Sequence, residues 1–112
     1  MKPMIANLEK LLDGPRDGAM LRFSLGNAWL ADDVDKAVGY LRDAVRLDPG
    51  YSAAWKGLGK ALAQAGRHGE ALDAFRQGIA VAERRGDIQA AKEMKVFARR
   101  AEKAIAGGAP LD

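Results

Sequence analysis

The sequence contains no cysteine, so disulfides, thiolate metal sites and a thiol nucleophile are excluded, and a reducing compartment suits the composition. His68 is the only histidine, which rules out any site built on two imidazoles. Aromatic residues are scarce at 6% and β-branched ones are few, leaving little material for strands. No apolar run approaches the roughly 20 residues needed to span a bilayer. Met1–Leu12 is broken by Asn7, Glu9 and Lys10 and lacks the apolar core of a signal peptide. These absences predict a cytoplasmic protein with no membrane association.

What the chain has in quantity is alanine and leucine. They dominate a hydrophobic share of 48%, set against 29% charged residues, the balance of a folded helical protein rather than a disordered one. Its 112 residues suffice for one domain. The net charge of +3 is unevenly placed. Between Arg84 and Lys103 stand seven basic residues and three acidic ones, so this segment carries +4 and the remainder −1.

Displacing the sequence by 34 residues lays Ala37 on Ala71, Leu41 on Phe75 and Ala44 on Gly78. Upstream, Leu25-Gly26 falls on Leu58-Gly59 at an offset of 33, which predicts a turn one residue shorter in the first copy. Gly26, Gly59 and Gly78 therefore recur at matched positions inside helical stretches. A helical glycine costs about 0.5–1 kcal/mol relative to alanine, so close helix contact is expected at each. Trp29, Leu41, Trp55, Leu62 and Phe75 supply the bulk between those contacts.

The second copy reads Trp55-x₂-Leu58-Gly59-x₂-Leu62, then Ala71-x₃-Phe75; the first reads Leu25-Gly26-x₂-Trp29, then Ala37-x₃-Leu41 and Asp48-Pro49. Over about residues 19 to 85 this resembles the tetratricopeptide repeat family. Arg22 departs from its leading Trp and Glu83 from its closing Pro. The resemblance implies an all-α fold, with antiparallel helix pairs stacked as a short right-handed solenoid of about six helices.

The chain divides accordingly. A single domain is expected over 1–106, with an N-terminal helix at 3–13, repeats at 18–51 and 52–85, a C-terminal capping helix at 87–106 and a flexible tail at 107–112. Met4, Ile5, Leu8, Leu11 and Leu12 form the apolar stripe of the first helix, which stops at Asp13-Gly14-Pro15. Asp17, Ser52 and Asp87 are the expected N-caps, the second helix runs to about Ala31, and Gly66 and Gly86 end the fourth and fifth. The last helix presents Ala90, Ala91, Met94, Phe97, Ala98, Ala101 and Ile105 as its apolar stripe.

No nucleophile–base pair or metal constellation is visible, so neither catalysis nor a cofactor is expected. His68 reads as a solvated turn residue, Asp32, Asp33 and Asp35 as capping residues, and Trp29 and Trp55 as core. In the resembled family the first helix of each pair lines a concave groove. The matching positions here are Met20, Phe23, Asn27, Leu30 and Ala31, then Ala53, Lys56, Lys60, Ala63 and Gln64. Phe23 and Gly57 stand where chaperone-binding repeats need the lysine and asparagine of a carboxylate clamp, so that clamp is not implied.

The resemblance thus implies a protein or peptide partner, with an acidic end suited to Lys56 and Lys60. Met20, Phe23, Asn27, Leu30, Lys56, Lys60 and Gln64 are the expected groove residues. The alternative is weak nucleic-acid binding through Lys92, Lys95, Arg99 and Lys103, one stripe at helical spacing that carries no stacking aromatic. A monomer or weak homodimer is expected.

Overall fold

The computed structural model describes residues 2–108. Six helices occur in order: α1 (Pro3–Glu9), α2 (Ala19–Trp29), α3 (Val34–Leu47), α4 (Ser52–Gln64), α5 (His68–Arg84) and α6 (Ile88–Gly108). From α2 onward only three or four residues join one helix to the next, so successive helices must run antiparallel. α3 packs between α2 and α4, and α5 between α4 and α6, while α2 touches α4 and α4 touches α6 directly. The result is an inner layer of α2, α4 and α6 backed by an outer layer of α3 and α5. The described chain is correspondingly flat, 43 × 36 × 19 Å, its short dimension matching two helix layers.

Local chemistry explains where most helices begin and end. The Asp33 carboxylate accepts the Lys36 backbone N–H at 3.1 Å, and that of Asp87 accepts the Ala90 N–H at 3.1 Å, capping α3 and α6. Gly66 and Gly86 adopt φ of 79° and 74°, and the next N–H groups, on Arg67 and Asp87, close onto the Leu62 and Ala82 carbonyls at 2.8 Å.

Two expected caps are corrected. α2 starts after Gly18 and α4 after Tyr51, neither with a side-chain cap. Asp17 turns its carboxylate to the Arg22 guanidinium, at 2.9 and 2.7 Å, and to the Asp13 N–H at 2.8 Å. Ser52 is itself the first helical residue of α4.

Helix lengths differ from expectation in three places. α1 ends at Glu9, where tighter bonds from the Leu11 and Leu12 N–H groups to the Leu8 and Glu9 carbonyls begin; Asp13 then turns left-handed at φ 64°. Only Ile5 of its stripe is fully buried, and Met4 and Leu11 are exposed. α2 stops at Trp29 rather than Ala31. The residue missing from the first copy is therefore lost from the last turn of α2 and not from the connection, which is four residues long against three between α4 and α5. α6 continues through Gly107 and Gly108; residues 109–112 of the expected tail lie outside the described residues. Ile105, at 40% exposure, does not join the α6 stripe.

The expected close contacts are present. A Cβ on Gly26 would lie 2.5 Å from Leu41 Cγ, and one on Gly59 would overlap the Phe75 ring. Gly78 admits the Met94 thioether and the Trp55 Cβ to the same spot. Leu41, Leu58, Leu62, Phe75 and Met94 fill the main core, each worth about 1.5–3 kcal/mol of burial. A smaller cluster of Ile5, Leu21 and Leu25 joins α1 to α2, and Trp29 packs against both. Trp29 Nε1–H and Tyr40 O–H both donate to the Glu9 carboxylate, at 3.2 and 2.9 Å, fixing α1 to the first repeat. Burial first and the Glu9 carboxylate second push the Tyr40 hydroxyl up to about 12.

Candidate functional site

Phe23 and Asn27 lie four residues apart on α2, and Leu30, three further on at its C-cap, continues the same face. Ala53, Lys56, Gly57 and Lys60 likewise share one face of α4. The two faces meet across a cavity of about 270 Å³ lined by these seven residues. Gly57 keeps its floor low: a Cβ there would stand 3.2 Å from Leu41 Cδ2 and 3.6 Å from Phe23 Cε1. The half-buried Phe23 ring is steadied by Tyr51, centroid to centroid 5.0 Å.

Of the seven expected groove residues, Phe23, Asn27, Leu30, Lys56 and Lys60 line this cavity. Met20 is 73% exposed and lies outside the lining set. Gln64 also lies outside it, and its amide donates to the Leu30 carbonyl at 3.2 Å, stitching α4 to the end of α2. Lys56 is already paired with Glu93 of α6 at 2.9 Å, so the last helix borders the groove and neutralises one of its two expected cations. Lys60 is placed differently. Its ammonium lies 5.4 Å from the Phe97 ring centroid and forms no ion pair among the described residues.

The alternative stripe lies on the outer face of α6, where Lys92, Lys95, Arg99 and Lys103 are all exposed. Lys95 pairs with Glu83 at 3.0 Å, and the neighbouring Val96 is 43% exposed.

The remaining candidates resolve as follows. Asp33 caps α3, and Asp32 faces Lys2 at 3.4 Å. Among the described residues no three His, Asp or Glu converge in a metal-binding arrangement. Trp29 and Trp55 are half-buried against the core, the latter donating its indole N–H to the Pro49 carbonyl at 2.8 Å. His68 is not a solvated turn residue. It opens α5, is half-buried, and its Nδ1 is shut away from solvent with no hydrogen-bond partner. Sequence reasoning also left Arg100 out of both candidate surfaces and assigned Phe97 to the core alone. The helical spacing that placed Lys60 on the inner face applies equally to those residues once α6 is treated as an inner-layer helix.

The family model described as tetratricopeptide repeat matches residues 28–88, from the end of α2 to the start of α6. The TPR repeat-containing protein PA0015 of Pseudomonas aeruginosa is 48% identical over 102 residues, spanning 90% of this chain and 97% of that protein. The solution structure of protein BPP2914 from Bordetella parapertussis superposes with a TM-score of 0.78 at 40% identity, covering 95% of this chain and 93% of the other. A tetratricopeptide repeat domain protein from Salinibacter ruber superposes at 0.69 with 28% identity, over 75% of this chain and 96% of its own.

Proposed function

The chain belongs to the tetratricopeptide repeat family, and on that premise we propose that it is a non-catalytic module that binds a peptide segment of a partner protein along its inner face. The observation that carries this reading is the α2–α4 cavity, which gathers apolar and polar side chains from two helices of the inner layer. Phe23 and Leu30 are the apolar contacts, Asn27 the hydrogen-bonding one, and Lys60 the cation that remains after Lys56 is spent on Glu93. Met20 and Gln64 have no part in it.

Exposed charge contacts are worth only about 0.2–1 kcal/mol each, whereas a buried apolar anchor commonly exceeds 1 kcal/mol. Affinity should therefore reside mainly in Phe23 and Leu30. Binding to a peptide selected for affinity, followed by fluorescence anisotropy, tests this: Phe23→Ala weakens it more than Lys60→Ala, with an unchanged circular dichroism spectrum. The affinity also survives a rise in salt from roughly 50 to 200 mM, where binding through several phosphate contacts falls by orders of magnitude. A steep salt dependence combined with a silent Phe23→Ala would overturn the reading in favour of the outer stripe.

A further inference from the structure

A second cavity, of about 250 Å³, opens between α4, α5 and α6 on the far side of Lys60 from the first. We propose that this cavity is the specificity subsite of the module, taking one large apolar side chain of an acidic peptide whose carboxylate lies between Lys60 and Arg100. The inference rests on the inner-face reading and adds the chemistry of the partner.

The walls are apolar. Phe75 and Phe97 stack at 5.6 Å with their planes 22° apart, and Ala63 and Ala101 complete the lining. The space is several times the ~30 Å³ share of one water, so it matches a side chain rather than a solvent site. The rim is cationic. Lys60 Nζ and the Arg100 guanidinium stand 5.4 and 5.5 Å from the Phe97 centroid, held there by the ring's negative face.

No carboxylate lines the cavity, and neither cation forms an ion pair among the described residues. Lys56, Arg42, Arg76 and Lys95, by contrast, meet Glu93, Glu70, Glu102 and Glu83. Charge complementarity therefore calls for an acidic occupant, and the Arg100 fork is suited to a carboxylate in two-point contact.

His68 contributes to the lining, and its Nδ1 is fully shielded without a partner. The apolar walls and the single unpaired cation on each side fit a side chain and one carboxylate. A nucleic acid would engage the stripe Lys92, Lys95, Arg99 and Lys103 on the outer face instead and leave this cavity untouched.

The test is selection of a random-peptide phage library on the full chain, followed by amide chemical-shift mapping of the most enriched peptide. Enriched peptides are expected to carry a large apolar residue within two positions of Asp or Glu, and to shift His68, Phe97, Arg100 and Ala101. Phe97→Ala should reduce affinity about tenfold, as for a buried anchor. Because Phe97 also supports Phe75, the decisive variant is the exposed-site double change Lys60→Glu with Arg100→Glu. That variant should lose the acidic preference on reselection while its circular dichroism spectrum is unchanged. Peptides without acidic residues, or shifts confined to Phe23, Asn27 and Leu30, overturn the subsite and leave the α2–α4 reading standing. No enrichment, or shifts confined to the outer stripe of α6, overturns both.

Discussion

Gly59 and Gly39 both sit inside helices, yet they answer to opposite demands. A Cβ on Gly59 would enter the Phe75 ring, while one on Gly39 would meet nothing within 4 Å. Gly59→Ala should therefore destabilise by about 1–3 kcal/mol through overpacking, and Gly39→Ala should stabilise by about 0.5–1 kcal/mol through helix propensity. Urea denaturation of the two variants checks both signs, and equal effects would mean the α4–α5 contact is misplaced.

Arg22 poses the complementary case, a charged residue where the first repeat departs from its family's tryptophan. It is retained by Asp17 on one side and Asp43, at 3.0 Å, on the other. The Arg22 hydrogen bonds first, and the Asp13 N–H second, hold the Asp17 carboxyl at about 2 instead of 3.8. A carboxyl depressed in the folded state stabilises the fold above pH 3.8 and loses that contribution as the pH falls through about 2. Asp17→Asn should lower the melting temperature at neutral pH, and the gap from the unaltered protein should close across that acidic window. A gap that is constant with pH would show that the pair contributes nothing through its charge.

At the scale of elements, the two repeats were legible because both copies leave the same signature: a small residue opposite a large one at fixed spacing. That spacing predicts close contact at Gly26 and Gly59, and the structure shows Leu41 and Phe75 as the side chains that meet them. The caps were less legible, since Asp17 has the right chemistry for an N-cap but a stronger partner in Arg22, and that partner is visible only once the chain has folded. The flanking helices read as apolar stripes, yet α1 unwinds after Glu9 and buries only Ile5 completely. α6 is the more consequential of the two. Its apolar stripe marks Met94 and Phe97 as packed residues, but not that Met94 covers Gly78, that Glu93 borders the first groove or that the helix walls the second cavity.

Burial of Met94 alone is worth about 1.5–3 kcal/mol, against a typical total stability of roughly 5–15 kcal/mol. A chain ending at Arg85 should consequently aggregate or melt well below the intact protein, as followed by light scattering and circular dichroism. If it remains monomeric and equally stable, α6 is an appendage and the cavity it walls has no structural basis.

For the whole molecule the account turns on which face meets the partner. The inner layer offers apolar cavities on either side of Lys60; the outer face of α6 offers a solvated basic stripe, and the two differ in what a substitution there should do. Phe23, Lys92 and Arg99 are not fully buried, so changes at these positions can be made in a folded protein. Binding of one selected peptide to the unaltered protein, to Phe23→Ala and to the double variant Lys92→Glu with Arg99→Glu is the most direct test. The inner-face account predicts that Phe23→Ala weakens binding about tenfold, as for a buried anchor, and that the charge reversal changes it little. Loss of binding in the charge-reversed variant, with Phe23→Ala indistinguishable from the unaltered protein, would contradict it and assign the interaction to the outer face of α6.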